Sequence, residues 1–213
     1  MLKKIPDESM QVESTIEEYQ IFKALERRNL YLTRPILSVE NEDLAFDQLS
    51  SAAQIIQCII EFNAQDKGVD PKDRKPIKLF INSPGGDVYE GFPLVSVIEL
   101  SKTPVHTINV GTWSSMAFWI GITGHRRFAL PYTTFLLHGG STFAGGSTSA
   151  VQDVMDFEKR YKDEVIKNHV LKHSKMTEQE YMALLRCEYY MLPEDAQKHS
   201  FIDEIVSDID TIL

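Results

Sequence analysis

Val105-His106-Thr107-Ile108-Asn109-Val110-Gly111-Thr112-Trp113-Ser114-Ser115-Met116-Ala117 joins an apolar run to a small-residue turn and then to a second apolar segment. The pattern predicts a strand over 105–110, a break at Gly111 and a helix starting near Trp113 and running to Ile122. A helix start leaves its first backbone N–H groups unpaired, and such donors can stabilise a developing oxyanion. The turn is therefore a place to hold a serine, although an N-capping serine has the same local pattern.

The same punctuation occurs one unit upstream. Ile77 to Ile81 is strand-like, Asn82-Ser83-Pro84-Gly85-Gly86-Asp87 is a glycine turn, and Val88 to Leu100 is helical until Thr103-Pro104 stops it. Strands and helices alternating at this length predict an α/β fold with parallel strands and right-handed crossovers. Further upstream, a helix is expected over 16–28, a strand at Leu30–Leu32, and an amphipathic helix between Asp43 and Phe62. The buried face of that last helix is expected to carry Leu49, Ala52, Ala53, Ile56, Ile59 and Ile60. Residues 64–76 read as an exposed connection, and residues 1–18 as an N-terminal arm preceding one domain, 19–213. Downstream, strands are expected at Arg127–Leu130 and Thr134–His138, then a Gly/Ser/Thr-rich loop over 139–149. Helices follow over 150–173, from Thr177 with Glu180 completing a capping box, and from Pro193 to His199.

Composition narrows the function classes. The net charge is −9, with 31 acidic and 22 basic residues, which argues against nucleic acid or an anionic membrane as the main partner. Cys58 and Cys187 sit in segments that read as helical and lack metal-ligand spacing, so neither a disulfide framework nor a zinc site is expected. No membrane span or leader is legible, and a soluble, cytoplasmic protein without cofactor or metal is the expectation.

If the two glycine turns share one carboxyl edge of a sheet, they lie where α/β folds place ligands. The backbone N–H of Gly86 and that of Met116 are then candidate oxyanion donors beside Ser115. A serine needs a base. Of six histidines, His169, His173 and His199 read as solvated on charged helices, His106 begins a strand and His125 lies in a basic turn. His138 ends an apolar strand just before Gly139-Gly140, so it can face a pocket.

These pieces, together with Arg127-Phe128-Ala129-Leu130-Pro131 and the closing stretch from Pro193 to Ile205, resemble in order and spacing the proteolytic subunit of the ATP-dependent Clp protease. The resemblance covers about residues 19–206. It implies a Clp/crotonase-like superhelix of repeated β-β-α units with a helical handle and a C-terminal α/β segment. It selects Ser115 over Ser114 as nucleophile, His138 as base, and the Gly86 and Met116 backbones as oxyanion donors. Its acid falls on Glu188 where the family carries aspartate. Gly85 and the loop at Gly139, Gly140 and Ser141 would align an extended peptide. The resemblance further implies heptameric rings, one or two, meeting through the 150–173 helix and fed by a ring-shaped ATPase of the AAA+ class.

Gly139-Gly140-Ser141 replaces the family's Gln-Pro, and Trp113 replaces a small residue beside the nucleophile. A structural subunit that keeps the fold but hydrolyses weakly is the alternative. Crotonase relatives, which share the superhelix, usually lack this serine–histidine pair.

Overall fold

The computed structural model describes residues 19–37, 51–142, 144–185 and 187–213. The N-terminal arm, Leu49 and the expected helix start at Asp43 lie outside them. Residues 19–26 form α1, followed by β1 (Asn29–Leu32), α2 (Ala52–Gln65), β2 (Ile77–Ser83), α3 (Val88–Leu100), β3 (Val105–Ser114) and α4 (Met116–Ile122). Strands β4 (Arg126–Ala129) and β5 (Thr134–Leu137) lead into α5 (Thr148–Tyr161). A π-helical turn, Lys162–Ile166, connects α5 to α6 (Lys167–Lys172). The chain ends with α7 (Glu178–Leu184), β6 (Tyr189–Met191), α8 (Pro193–Lys198), β7 (Glu204–Ile205) and a 3₁₀ turn, Ile209–Ile212.

The strands form one sheet in the order β1-β2-β3-β4-β7, all parallel, as the alternation of strands and helices predicts. Strand β3 is longer than expected. Its first half pairs with β4, His106 against Arg126 through Asn109 against Ala129. Its second half pairs with β5, Thr112 against Thr134 through Ser114 against Leu136. The backbone therefore stays extended through Gly111, and the helix starts at Met116 rather than near Trp113. Gly111 marks not a break but a close approach, because a Cβ there would lie 2.2 Å from the Asn82 side-chain oxygen.

Trp113 is wholly buried in this extended run, edge-on to Phe135 with ring centroids 5.4 Å apart. Gly121 makes room for it: a Cβ on Gly121 would sit 2.4 Å from the indole. The bulky residue beside the serine thus points into the core, and its volume is absorbed by α4. On the other sheet face, Phe80, Ile108, Phe128, Val206 and Ile212 make a smaller core.

Helix α2 starts at Ser51, whose hydroxyl accepts from the Gln54 N–H, and buries Ala52, Ile55, Ile59 and Phe62. The expected face was rotated: Ala53 and Ile60 are exposed, Ile60 by 55%. The connection after α2 is exposed in its middle but anchored at its start. Asp66 is buried, accepts bidentate bonds from Arg28 at 2.6 and 2.7 Å, and accepts from the Thr103 hydroxyl. The Arg28 guanidinium holds the Asp66 carboxyl below its ordinary range. Thr177 and Glu180 form the expected capping box of α7. Cys187 lies outside the helices; it and Cys58 are free thiols.

Candidate active site

Ser115 occupies the single residue between β3 and α4, with φ 56° and ψ −124°, a backbone conformation that costs a non-glycine residue about 1–3 kcal/mol. It is held there from several sides. Its N–H donates to the Leu136 carbonyl at 3.0 Å, and its carbonyl accepts from Phe118 at 3.0 Å. Its hydroxyl does not cap α4 and has no hydrogen-bond partner among the described residues. Ser114 differs: its hydroxyl is 2.8 Å from Thr112 Oγ1. Of the two adjacent serines, Ser115 alone carries an uncommitted hydroxyl.

The glycine turn after β2 packs directly on this junction. A Cβ on Gly85, φ 89°, would lie 2.4 Å from the Ser114 carbonyl oxygen, 2.8 Å from the Met116 nitrogen and 2.8 Å from Ser115 Cβ. Only glycine permits that approach. Gly86 forms a parallel bridge with Ile36, in which Ile36 donates to the Gly85 carbonyl and accepts from the Asp87 N–H, each at 2.8 Å. Because both bonds fall on the residues flanking Gly86, the N–H and carbonyl of Gly86 face away from Ile36. The Met116 N–H is the first of α4, one of the donors a helix leaves unpaired.

The antiparallel pairing of β5 with β6 brings in the remaining candidates. Phe135 faces Met191, Leu136 faces Tyr190 and Leu137 faces Tyr189, so one further step sets His138 opposite Glu188. Accordingly, His138 Nδ1 lies 3.0 Å from Glu188 Oε1. The Glu188 side chain is 57% exposed and the His138 ring 20%. His138 Nε2 is buried and has no hydrogen-bond partner among the described residues, so it is not bonded to the Ser115 hydroxyl in this conformation. Catalytic hydrogen bonds are often long before substrate binds.

Beside these groups opens a cleft of about 610 Å³, bounded by Gly86 to Tyr89, by Gly139 to Thr142, and by α5 with the π-helical turn. Gly85 does not line it, whereas Gly139, Gly140 and Ser141 do. The described part of the 139–146 loop pairs with no strand, so its backbone is not consumed by this chain's own sheet. The far wall was not legible in the sequence. Tyr89 donates to Glu158 Oε1 at 2.6 Å, and this bond, with burial, pushes the phenol up to about 12. Lys162 and Thr142 join the same network at 3.4 Å.

Two histidines read as solvated are not. His169 is 7% exposed, and His173 is half-buried beside Glu99. Their spacing on one helix face, four residues apart, was the available signal. Among the described residues no helix is long and apolar enough to cross a membrane.

The Clp protease family model matches residues 17–208. ATP-dependent Clp protease proteolytic subunits from Streptococcus gordonii and Streptococcus mutans are 28% and 29% identical. These alignments cover 89% and 88% of this chain and 90% and 89% of the relatives. The subunit from Deinococcus radiodurans is 30% identical over 61% of this chain, and that alignment spans 64% of the relative's length. A family match across nearly the whole described sheet, on a fold with this parallel order, has one reading: the chain belongs to the Clp protease family, a family of serine peptidases.

Proposed function

We propose that the protein is a serine endopeptidase in which Ser115 is the nucleophile, His138 the general base and acid, and Glu188 the carboxylate that orients His138. The observation that carries this reading is His138 itself. Its Nδ1 is held by Glu188 while its buried Nε2 has no partner among the described residues and so is open to the serine hydroxyl. When substrate binding or assembly closes Ser115 Oγ onto Nε2, the hydroxyl proton passes to His138 as oxygen attacks the peptide carbonyl. Glu188 stabilises the resulting imidazolium. The Met116 and Gly86 N–H groups receive the oxyanion, and His138 then returns the proton to the leaving amine. Water repeats the sequence on the acyl-enzyme.

Gly139, Gly140 and Ser141 bind the extended substrate by backbone hydrogen bonds, with the adjoining cleft taking a side chain and Gly85 holding the oxyanion turn in place. Supporting an assembled chamber, α5 buries none of its residues within the chain and exposes Val154, Met155 and Phe157. We accordingly propose rings, seven-membered and one or two in number, meeting through α5, with an AAA+ unfoldase as partner and a cytoplasmic location.

The test is labelling with a fluorophosphonate alongside hydrolysis of a short peptide. Wild type is expected to form one adduct and to turn over, and Ser115→Ala to do neither. An adduct that survives Ser115→Ala overturns the assignment, and an absent adduct in wild type leaves a structural subunit.

A further inference from the structure

A second chemical cluster lies where α3, α4 and α6 meet, built from Glu99, His169 and His173. His169 lies on α6 and His173, four residues on, caps its C-terminal end with its N–H bonded to the His169 carbonyl, so the two rings fall on one side of the helix. Glu99, next to last in α3, reaches both: its Oε1 is 2.8 Å from His173 Nε2 and 3.6 Å from His169 Nδ1. One ligand atom from each of the three residues lies within 4.8 Å of the others.

The decisive group is His169. Its side chain is 5% exposed. Nε2 sits 3.0 Å from the Trp119 carbonyl oxygen, which can only accept, so Nε2 carries the hydrogen of the neutral ring. The neighbouring Thr123 hydroxyl also donates to Trp119, at 2.7 Å. Nδ1 is then a bare lone pair in a buried side chain, and it faces a carboxylate oxygen 3.6 Å away, too far for a hydrogen bond. The two acceptors face each other at the edge of the core, His169 buried and the Glu99 side chain 27% exposed, so a cation can enter between them from the solvent side.

We propose that Glu99, His169 and His173 bind a divalent transition-metal ion, zinc by donor chemistry, through His169 Nδ1, His173 Nε2 and a Glu99 oxygen, with water completing the coordination. Imidazole and carboxylate donors suit zinc, and two histidines with one glutamate form a three-ligand set that leaves a position for solvent. Ligand bonds of about 2.0–2.2 Å need only small movements of atoms already this close. The Trp119 carbonyl does what outer partners of metal-bound histidines do, holding the far ring nitrogen and thereby the tautomer.

Without metal, Glu99 Oε1 accepts from the His173 Nε2–H at 2.8 Å and pairs with the Lys172 ammonium at 2.9 Å. The Lys172 side chain is 60% exposed and can swing into water, and His173 can move its ring hydrogen to Nδ1. The site joins the end of α3 and α6 to the carbonyl of Trp119 in α4, the helix that begins directly after Ser115. None of its ligands belongs to the proposed catalytic group.

The full chain, stripped with a chelator and dialysed, is titrated with Zn²⁺ by calorimetry and with Co²⁺ by visible absorption. Wild type, Glu99→Gln, His173→Gln and His138→Ala are compared. The expected result is one equivalent bound by wild type and by His138→Ala, and at least tenfold weaker binding by Glu99→Gln and His173→Gln. Equal affinity in all four overturns the proposal, as does no binding by wild type. Loss of binding in His138→Ala places the metal at the His138–Glu188 pair and also overturns it. Should the Glu99 and His173 variants not fold, ¹⁵N imidazole spectra of wild type decide. Zinc is expected to shift His169 Nδ1, and an unmoved Nδ1 resonance overturns the assignment.

Discussion

At the scale of single residues, the backbone of Ser115 and the contact of Gly85 are one feature. The serine is held at φ 56° because the β2 turn presses a glycine against residues 114–116. Gly85→Ala puts a methyl group within 2.4 Å of the Ser114 carbonyl, so either the turn or the serine must move. Misplacement of about 1 Å can cost about a hundredfold in rate. Peptide hydrolysis by Gly85→Ala is expected to fall by about that factor in kcat, and an unchanged kcat would separate the turn from catalysis. Glu188→Gln keeps a hydrogen-bonding side chain against His138 Nδ1 but loses the charge that stabilises an imidazolium. Its kcat is expected to drop by about a hundredfold or more, with fluorophosphonate labelling slowed. Unaltered kinetics would remove Glu188 from the mechanism.

At the scale of elements, Trp113 in β3 and Gly121 in α4 are a matched pair. Gly121→Ala would drive a methyl group into the indole of a wholly buried tryptophan, an overpacking expected to cost about 1–3 kcal/mol. Trp113→Phe in the same chain should recover part of it in urea unfolding; additive losses would show that the two do not share the space. The Arg28–Asp66 pair ties β1's entry to the end of α2, with side chains only 14% and 11% exposed. Removing the cation leaves a buried carboxylate, so Arg28→Ala is expected to lose about 3 kcal/mol. A loss within the range of a surface substitution would contradict that burial.

At the scale of the whole molecule, the sheet determines a response to pH. Burial, reinforced by Arg126, His125 and Lys78, lowers His106 to about 4 from its ordinary 6.5. A histidine kept neutral in the fold contributes stability that is present above about 6.5 and lost as pH falls toward 4. The urea midpoint is expected to decline across that window more steeply in wild type than in His106→Gln, and parallel curves would exclude His106 as the cause. Helix α5, which buries none of its residues, belongs to this scale too. Met155→Glu places a charge on its exposed apolar side, and mass photometry is expected to show smaller assemblies; an unchanged mass would remove that side of α5 from subunit contacts.

Much of this was legible along the chain because it is written in local chemistry. Apolar runs, glycine turns and the capping box at Thr177 act over a few residues, and they determined the strand–helix alternation and the parallel sheet. Similarity of order and spacing pointed to Ser115, His138 and Glu188. What pattern could not supply was anything decided by contact between distant segments. The extension of β3 through Gly111 depends on β5 being there to pair with Thr112 to Ser114. The rotated face of α2, the burial of Asp66 by Arg28 and the meeting of Glu99 with His169 and His173 each join residues far apart in sequence. The sequence by itself determined the elements and their order. Tertiary structure alone decided where the chain stays extended, and which charged and imidazole groups leave water, because burial and pairing are set by whichever segment arrives opposite.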